Sequence, residues 1–201
     1  RSSILPEVGR AITTPVATDT QQTEGMFTRH PAWIGLSVLE FCELTGRDDG
    51  GLDWAAELAG QAFLIQGGSL DVGRGEVLWA MAEQAEDVGW FDRVSFLLKE
   101  AKKGPFQMPE HQWQVTLLVA LRELERNQKD GETLIDALLD TDEADEQTFV
   151  HAVWIKAHLL RERGQEGEAT VWIERALATL DDDAPVQVQQ KLRDFLNQSQ
   201  G

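Results

Sequence analysis

The chain has 201 residues, 42% of them hydrophobic, and a formal net charge of −17 from 35 acids against 18 bases. That balance argues against nucleic acid as a partner, because phosphate binding rests on clustered Lys and Arg. No run approaches the roughly 18 continuous apolar residues of a membrane span, so no direct membrane insertion is expected of this chain. The lone cysteine, Cys42, excludes an internal disulfide framework, and its place in an apolar helical run fits a buried structural thiol better than a nucleophile. The acid excess reads as a solvated surface, compatible with a basic partner or a salty environment. Cytoplasm is favoured over periplasm. Because the chain begins at Arg1, it is read as a processed product or an excerpt of something longer.

Residues 1–30 are rich in Thr, Pro, Gln and Ser without helical period, and are expected to form an extended arm or linker. Its Ile4, Leu5, Val8 and Ile12 are candidates for docking on the body that follows. A helical domain is expected over 31–201. Its first unit, 31–66, opens at Pro31, which suits a first helical turn. Ile34, Val38, Phe41 and Cys42 share one face, Gly46 stops the helix, and Ala55, Leu58, Ala59, Ala62 and Phe63 face inward on a second helix. Gly67-Gly68-Ser69 then breaks the pattern.

The second unit, 70–105, places Leu78, Met81, Ala82 and Ala85 inward, turns at Gly89, and continues with Val94, Leu98 and Ala101 until Pro105. In the third unit, 109–140, Pro109 opens a helix with Leu117, Ala120, Leu121 and Leu124 inward, followed by Leu134, Ile135, Leu138 and Leu139. The acidic stretch from Asp140 reads as a solvated loop. A fourth unit, 150–183, holds two amphipathic helices joined at Gly164. Val153, Lys156, Ala157 and Leu160 line one, and Ala169, Ile173, Ala176 and Leu177 the other. A last helix, 184–198, follows an Asp183 cap and Pro185, with Val188, Leu192, Phe195 and Leu196 on one stripe. The total expected is about nine helices and no sheet, since β-branched alternation is absent.

The fourth unit resembles a tetratricopeptide repeat of about 34 residues. It keeps Ala157-x2-Leu160, Gly164, Ala169-x3-Ile173 and Ala176, but lacks the aromatic pair and ends in acid rather than Pro. The resemblance extends well over 70–183 and weakly over 31–66. It implies an all-α, right-handed α-solenoid of tetratricopeptide-like helix pairs with a C-terminal capping helix, which an open stack needs to cover its last apolar face. The steps between the crossing residues Ala82, Leu121 and Ala157 both exceed the ideal repeat by a few residues, so the array is read as irregular.

The stretch Gly67 to Glu76 has glycines but no Gly-Lys-Ser/Thr ending, so a phosphate loop is not expected. Asp140, Asp142 and Asp145 resemble a calcium loop faintly, yet Asp145 stands where Gly is required and His151 where Glu should close it. His151 and His158 lie two helical turns apart, about 10 Å of axial rise, too far to share one metal without a third element. His30 and His111 have no partner visible in sequence. No catalytic residue, metal site or cofactor is therefore expected.

The stronger signal is a stripe offset from the core of the fourth unit: His151, Trp154, His158 and Arg161, at spacings of three, four and three. Glu76, Trp79, Glu83 and Glu86 occupy the same places in the second unit, and Val115, Leu118, Arg122 and Glu125 in the third. In tetratricopeptide proteins this stripe lines a concave groove where peptides bind. The resemblance thus implies Trp79, Glu83, Glu86, Leu118, Arg122, His151, Trp154, His158 and Arg161 as partner contacts. Packing of the two tryptophans between repeats is the competing reading. The expected function is a non-catalytic adaptor or scaffold of bacterial type that binds a protein or peptide segment. A self-associating module, as a homodimer, and a regulatory domain of a longer enzyme remain open beside it.

Overall fold

All nine regular elements among the described residues are helices, and none is a strand, as the helical spacing predicts. They are α1 (Pro31–Leu44), α2 (Gly51–Gly67), α3 (Arg74–Asp87), α4 (Phe91–Ala101), α5 (Pro109–Arg126), α6 (Gln128–Leu139), α7 (Glu146–Glu162), α8 (Glu166–Thr179) and α9 (Val186–Gln198). The computed structural model describes residues 30–47, 49–67, 72–180 and 184–198. The expectations for the N-terminal arm, for positions 68–71 and for the Asp183 cap lie outside these residues. Two compact units divide the body, one ending at Val115 and the other beginning at Thr116, so that α5 contributes to both.

In the first unit, α1 pairs with α2 and α3 with α4, while α1 and α2 also pack on α3. Pro31 opens α1, and His30 Nδ1 accepts a hydrogen bond from the Ala32 N–H at 3.4 Å. The buried stripe of α1 is Ala32, Gly35, Leu36, Leu39 and Cys42. This corrects the expected face, since Ile34 and Val38 are only half-buried and Phe41 is half exposed. Apolar residues run nearly all round α1, so spacing alone does not select its inward side. Gly35 selects it: a Cβ there would press on Met81 Sδ and Ala59 Cβ, so the missing side chain lets α1 lie close to both. At the centre is α3, whose residues from Gly75 to Ala82 are all buried.

The second unit assembles Leu117, Ala120 and Leu121 of α5 with Ile135, Leu138 and Leu139 of α6. Ala152, Val153, Ala157 and Leu160 of α7 and Ala169, Ile173 and Ala176 of α8 complete its core. The turn between α7 and α8 is closed by Gly164 at φ 76°, a left-handed conformation that costs a non-glycine residue about 1 kcal/mol or more. Asp145, read from sequence as part of a solvated loop, is instead the N-cap of α7. It accepts from the Thr148 N–H at 2.9 Å and from the Thr148 hydroxyl at 2.6 Å, satisfying one of the helix's orphan donors. The last helix, α9, packs beside α8 and buries Leu192 and Phe195, leaving Val188 and Leu196 half-buried.

Candidate functional site

Trp79 on α3 and Trp154 on α7, each ten residues before a glycine of positive φ (Gly89 and Gly164), meet different surroundings. In the first unit Trp79 is completely buried, its ring edge-on to that of His111 with centroids 5.5 Å apart. One helical turn earlier, Glu76 is 3% exposed, and its Oε1 accepts from the N–H groups of Gln107 (2.7 Å) and Met108 (3.0 Å). The same oxygen lies 3.2 Å from His111 Nδ1. These amides lead directly into α5, so Glu76 serves as a capping carboxylate supplied by another helix. Its negative charge faces the positive end of the α5 dipole. His111, without a visible partner in sequence, thus has one 35 residues away. Trp79 has no surface to offer a partner, and inter-helix packing accounts for it. Glu83 is half-buried and Glu86 exposed in the same unit.

In the second unit the α7 stripe is half-buried throughout, and the structure brings most of it together beneath α9. Trp154 and His158 pack edge to face at 4.6 Å, and the Phe195 ring sits 5.5 Å from Trp154 and 5.0 Å from His158. The Arg161 guanidinium lies 3.4 Å over the face of Phe195, and its Nη2 donates to the Phe195 carbonyl at 2.7 Å. This one side chain therefore holds the aromatic ring by a cation–π contact, worth about 0.5–2 kcal/mol. Full burial of Leu192 and Phe195 adds about 1.5–3 kcal/mol each. Leu118 and Arg122, on α5, are half-buried in this unit too.

Electrostatics sharpen the seat of α9. Burial pushes the His158 pKa below its ordinary value, and the nearby Arg161 charge pushes it further, with Glu162 opposing. His158 Nε2 is enclosed without a hydrogen-bond partner among the described residues, so a proton placed there would find no acceptor. The His151 pKa is also lowered, first by burial and then by Lys191 of α9, against the Gln147 carbonyl and Asp145. Both rings belong to an environment suited to neutral imidazole.

Sequence reasoning placed Phe195 only on the apolar stripe of a cap, without its seat on α7. Among the described residues no group of three or more His, Cys, Asp or Glu is placed to hold a metal, and no helix is long and apolar enough to cross a membrane. Comparison with family models, curated proteins and solved structures finds no match to this chain.

Proposed function

We propose that this chain is a non-catalytic protein–protein interaction module, an adaptor or scaffold built as a right-handed solenoid of tetratricopeptide-like helix pairs, that binds a protein or peptide segment. The observation that carries the reading is the α7 stripe. Trp154, His158 and Arg161 together receive an amphipathic helix, with edge-to-face rings for an aromatic anchor and a guanidinium for the backbone behind it. Tryptophan and arginine side by side are the composition of a binding hot spot. A preformed helical surface also loses little conformational entropy when it binds. The partner contacts are thereby assigned to Trp154, His158, Arg161 and the adjoining His151.

Selection from a displayed peptide library against the 201-residue chain tests this. Binders are expected whose affinity falls at least tenfold when Trp154→Ala and Arg161→Ala are combined, with helicity retained. Binders indifferent to both substitutions would remove the α7 surface from the reading.

A second reading, self-association, is favoured by the exposed apolar side chains of the first helix pair: Phe41 and Leu44 on α1, Leu64 and Ile65 on α2. Light scattering across a concentration series separates the two, since a symmetric dimer would double the mass and an adaptor monomer would not.

A further inference from the structure

The first helix pair presents two apolar stripes beside its core. On α1, Ile34, Val38 and Phe41 each stand one residue before a buried position, Gly35, Leu39 and Cys42. On α2, Trp54, Leu58 and Ala62 stand likewise before Ala55, Ala59 and Phe63. The pair is antiparallel: a Cβ on Gly35 would meet Ala59 at 3.1 Å, and one on Gly51 would meet Cys42 at 2.8 Å. One residue is a turn of about 100°, and in two antiparallel helices packed side by side the same backward step brings both stripes to one side. That side is turned away from α3, because Gly60, one residue after Ala59, is the position that faces Val77 of α3. The stripes therefore share an outer face. Its seam is half-buried at Ile34, Val38, Leu58 and Ala62, and it opens at Phe41 (50% exposed), Trp54 (45%) and, one turn further along α2, Ile65 (83%).

Size and charge say what fits this face. The two helices have 14 and 17 residues. The face they form is about 20–25 Å long and, with axes about 8–10 Å apart, about 20 Å wide. Its projected area of about 400–500 Å², before side-chain relief is counted, is of the order of the roughly 800 Å² that each partner gives to a standard interface. A single peptide helix, about 10–12 Å across, would cover half that width. A second helix pair matches it. No stripe position is charged, in a chain of which 26% of residues are and whose net charge is −17. Two acids of the pair are engaged within their own unit, Glu43 by Arg93 at 2.5 Å and Asp53 by Arg74 at 2.7 Å. A basic partner is selected by carboxylates, and these stripes offer none. Two copies of so acidic a chain, by contrast, need a contact in which like charges are not opposed.

From this geometry we infer that the outer face of α1 and α2 is an isologous interface for a second copy of this chain, the two helix pairs closing into an intermolecular four-helix layer. This rests on the self-association reading above and assigns it a face, a symmetry and a packing mode. It is independent of the α7 surface, so each copy would carry its own.

The test is light scattering of the 201-residue chain from micromolar to millimolar concentration, comparing wild type with Ile65→Glu and Phe41→Glu. Both positions are exposed in the single chain, so a carboxylate there is hydrated in the monomer and is buried only when the copies meet. The wild-type mass is expected to double with concentration, and each substitution to raise the dimer dissociation constant at least tenfold with helicity retained. Val171→Glu, at an exposed apolar residue of α8, is the control and should dimerise as wild type does. A dimer indifferent to both Ile65→Glu and Phe41→Glu would overturn this face while leaving self-association through another. A wild type that stays monomeric at every concentration would remove both, and the face would pass to residues 1–29 or to a different protein. Should one variant fail to fold, the other decides.

Discussion

The α3 and α7 tryptophans each stand ten residues before the glycine that follows their helix, yet one is sealed and the other only covered. Around Trp79 the enclosure is closed by the backbone: Glu76, three residues away, grips the amides of Gln107 and Met108, and His111 lies across the ring. Over Trp154 the lid is a single helix, α9, that contributes one aromatic ring and the carbonyl behind it. Burial in the first case is continuous with the core. In the second it depends on one helix held by two buried side chains and the Arg161 contact. The difference teaches that a helical stripe acquires its role from whatever is laid over it, and that the covering element's own attachment decides whether the stripe is core or site.

The comparison breaks first if the two tryptophans respond alike to truncation. Trp79→Ala removes a fully buried indole and is expected to cost about 3–5 kcal/mol, seen as a lower midpoint in chemical denaturation. Trp154→Ala removes a half-buried ring and is expected to cost about 1–2 kcal/mol, with the loss confined largely to α9. Similar values for both would erase the distinction.

Next in size is Glu76→Ala, expected to cost about 2 kcal/mol because it strands two backbone donors and a histidine nitrogen at the entrance to α5. Its signature is global, a lowered thermal midpoint in calorimetry with α9 docking unchanged. A variant that frees α9 while sparing the midpoint would contradict the assignment of Glu76 to the core.

The smallest effect is a titration. His158 and His151 have pKa values below the ordinary value of about 6.5 while α9 is docked, and regain it when exposed. Groups with a docked pKa below the undocked one favour docking fully above the undocked value and progressively less as pH falls below it. The charges around them are Arg161, Glu162 and Asp145 on and beside α7, with Lys191 on α9. Acidification from pH 7.5 to 5.5 is expected to release α9 by severalfold, read from its NMR amide intensities. His158→Gln should flatten the profile.

Much of the helix inventory was legible, because apolar spacing and the Pro and Gly punctuation are local signals. The inward face of α4 could be read the same way: Val94, Leu98 and Ala101 stand among Arg93, Ser95, Lys99 and Glu100, and all three are buried, whereas α3 is apolar from Val77 to Ala82 and buried all round there. On α1 the pattern failed, since Ile34, Val38 and Phe41 are as apolar as the residues that are buried, and the choice lay with a close approach at Gly35. Glu76 and His111 were invisible as a pair because 35 residues separate them and only tertiary structure joins them. The stripe containing Trp154 was legible as a stripe. What covered it was not, since nothing local in the Leu192-x2-Phe195 spacing says which helix receives it.

Native-state hydrogen exchange of the intact chain tests the central claim most directly, by comparing amides near Phe195 in α9 with those near Trp79 in α3. The account predicts that α9 opens on its own, at least a hundredfold more often than α3, while α7 and α8 remain protected. Equal protection at the two sites, both lost only in global unfolding, would make α9 an integral part of the core and contradict it.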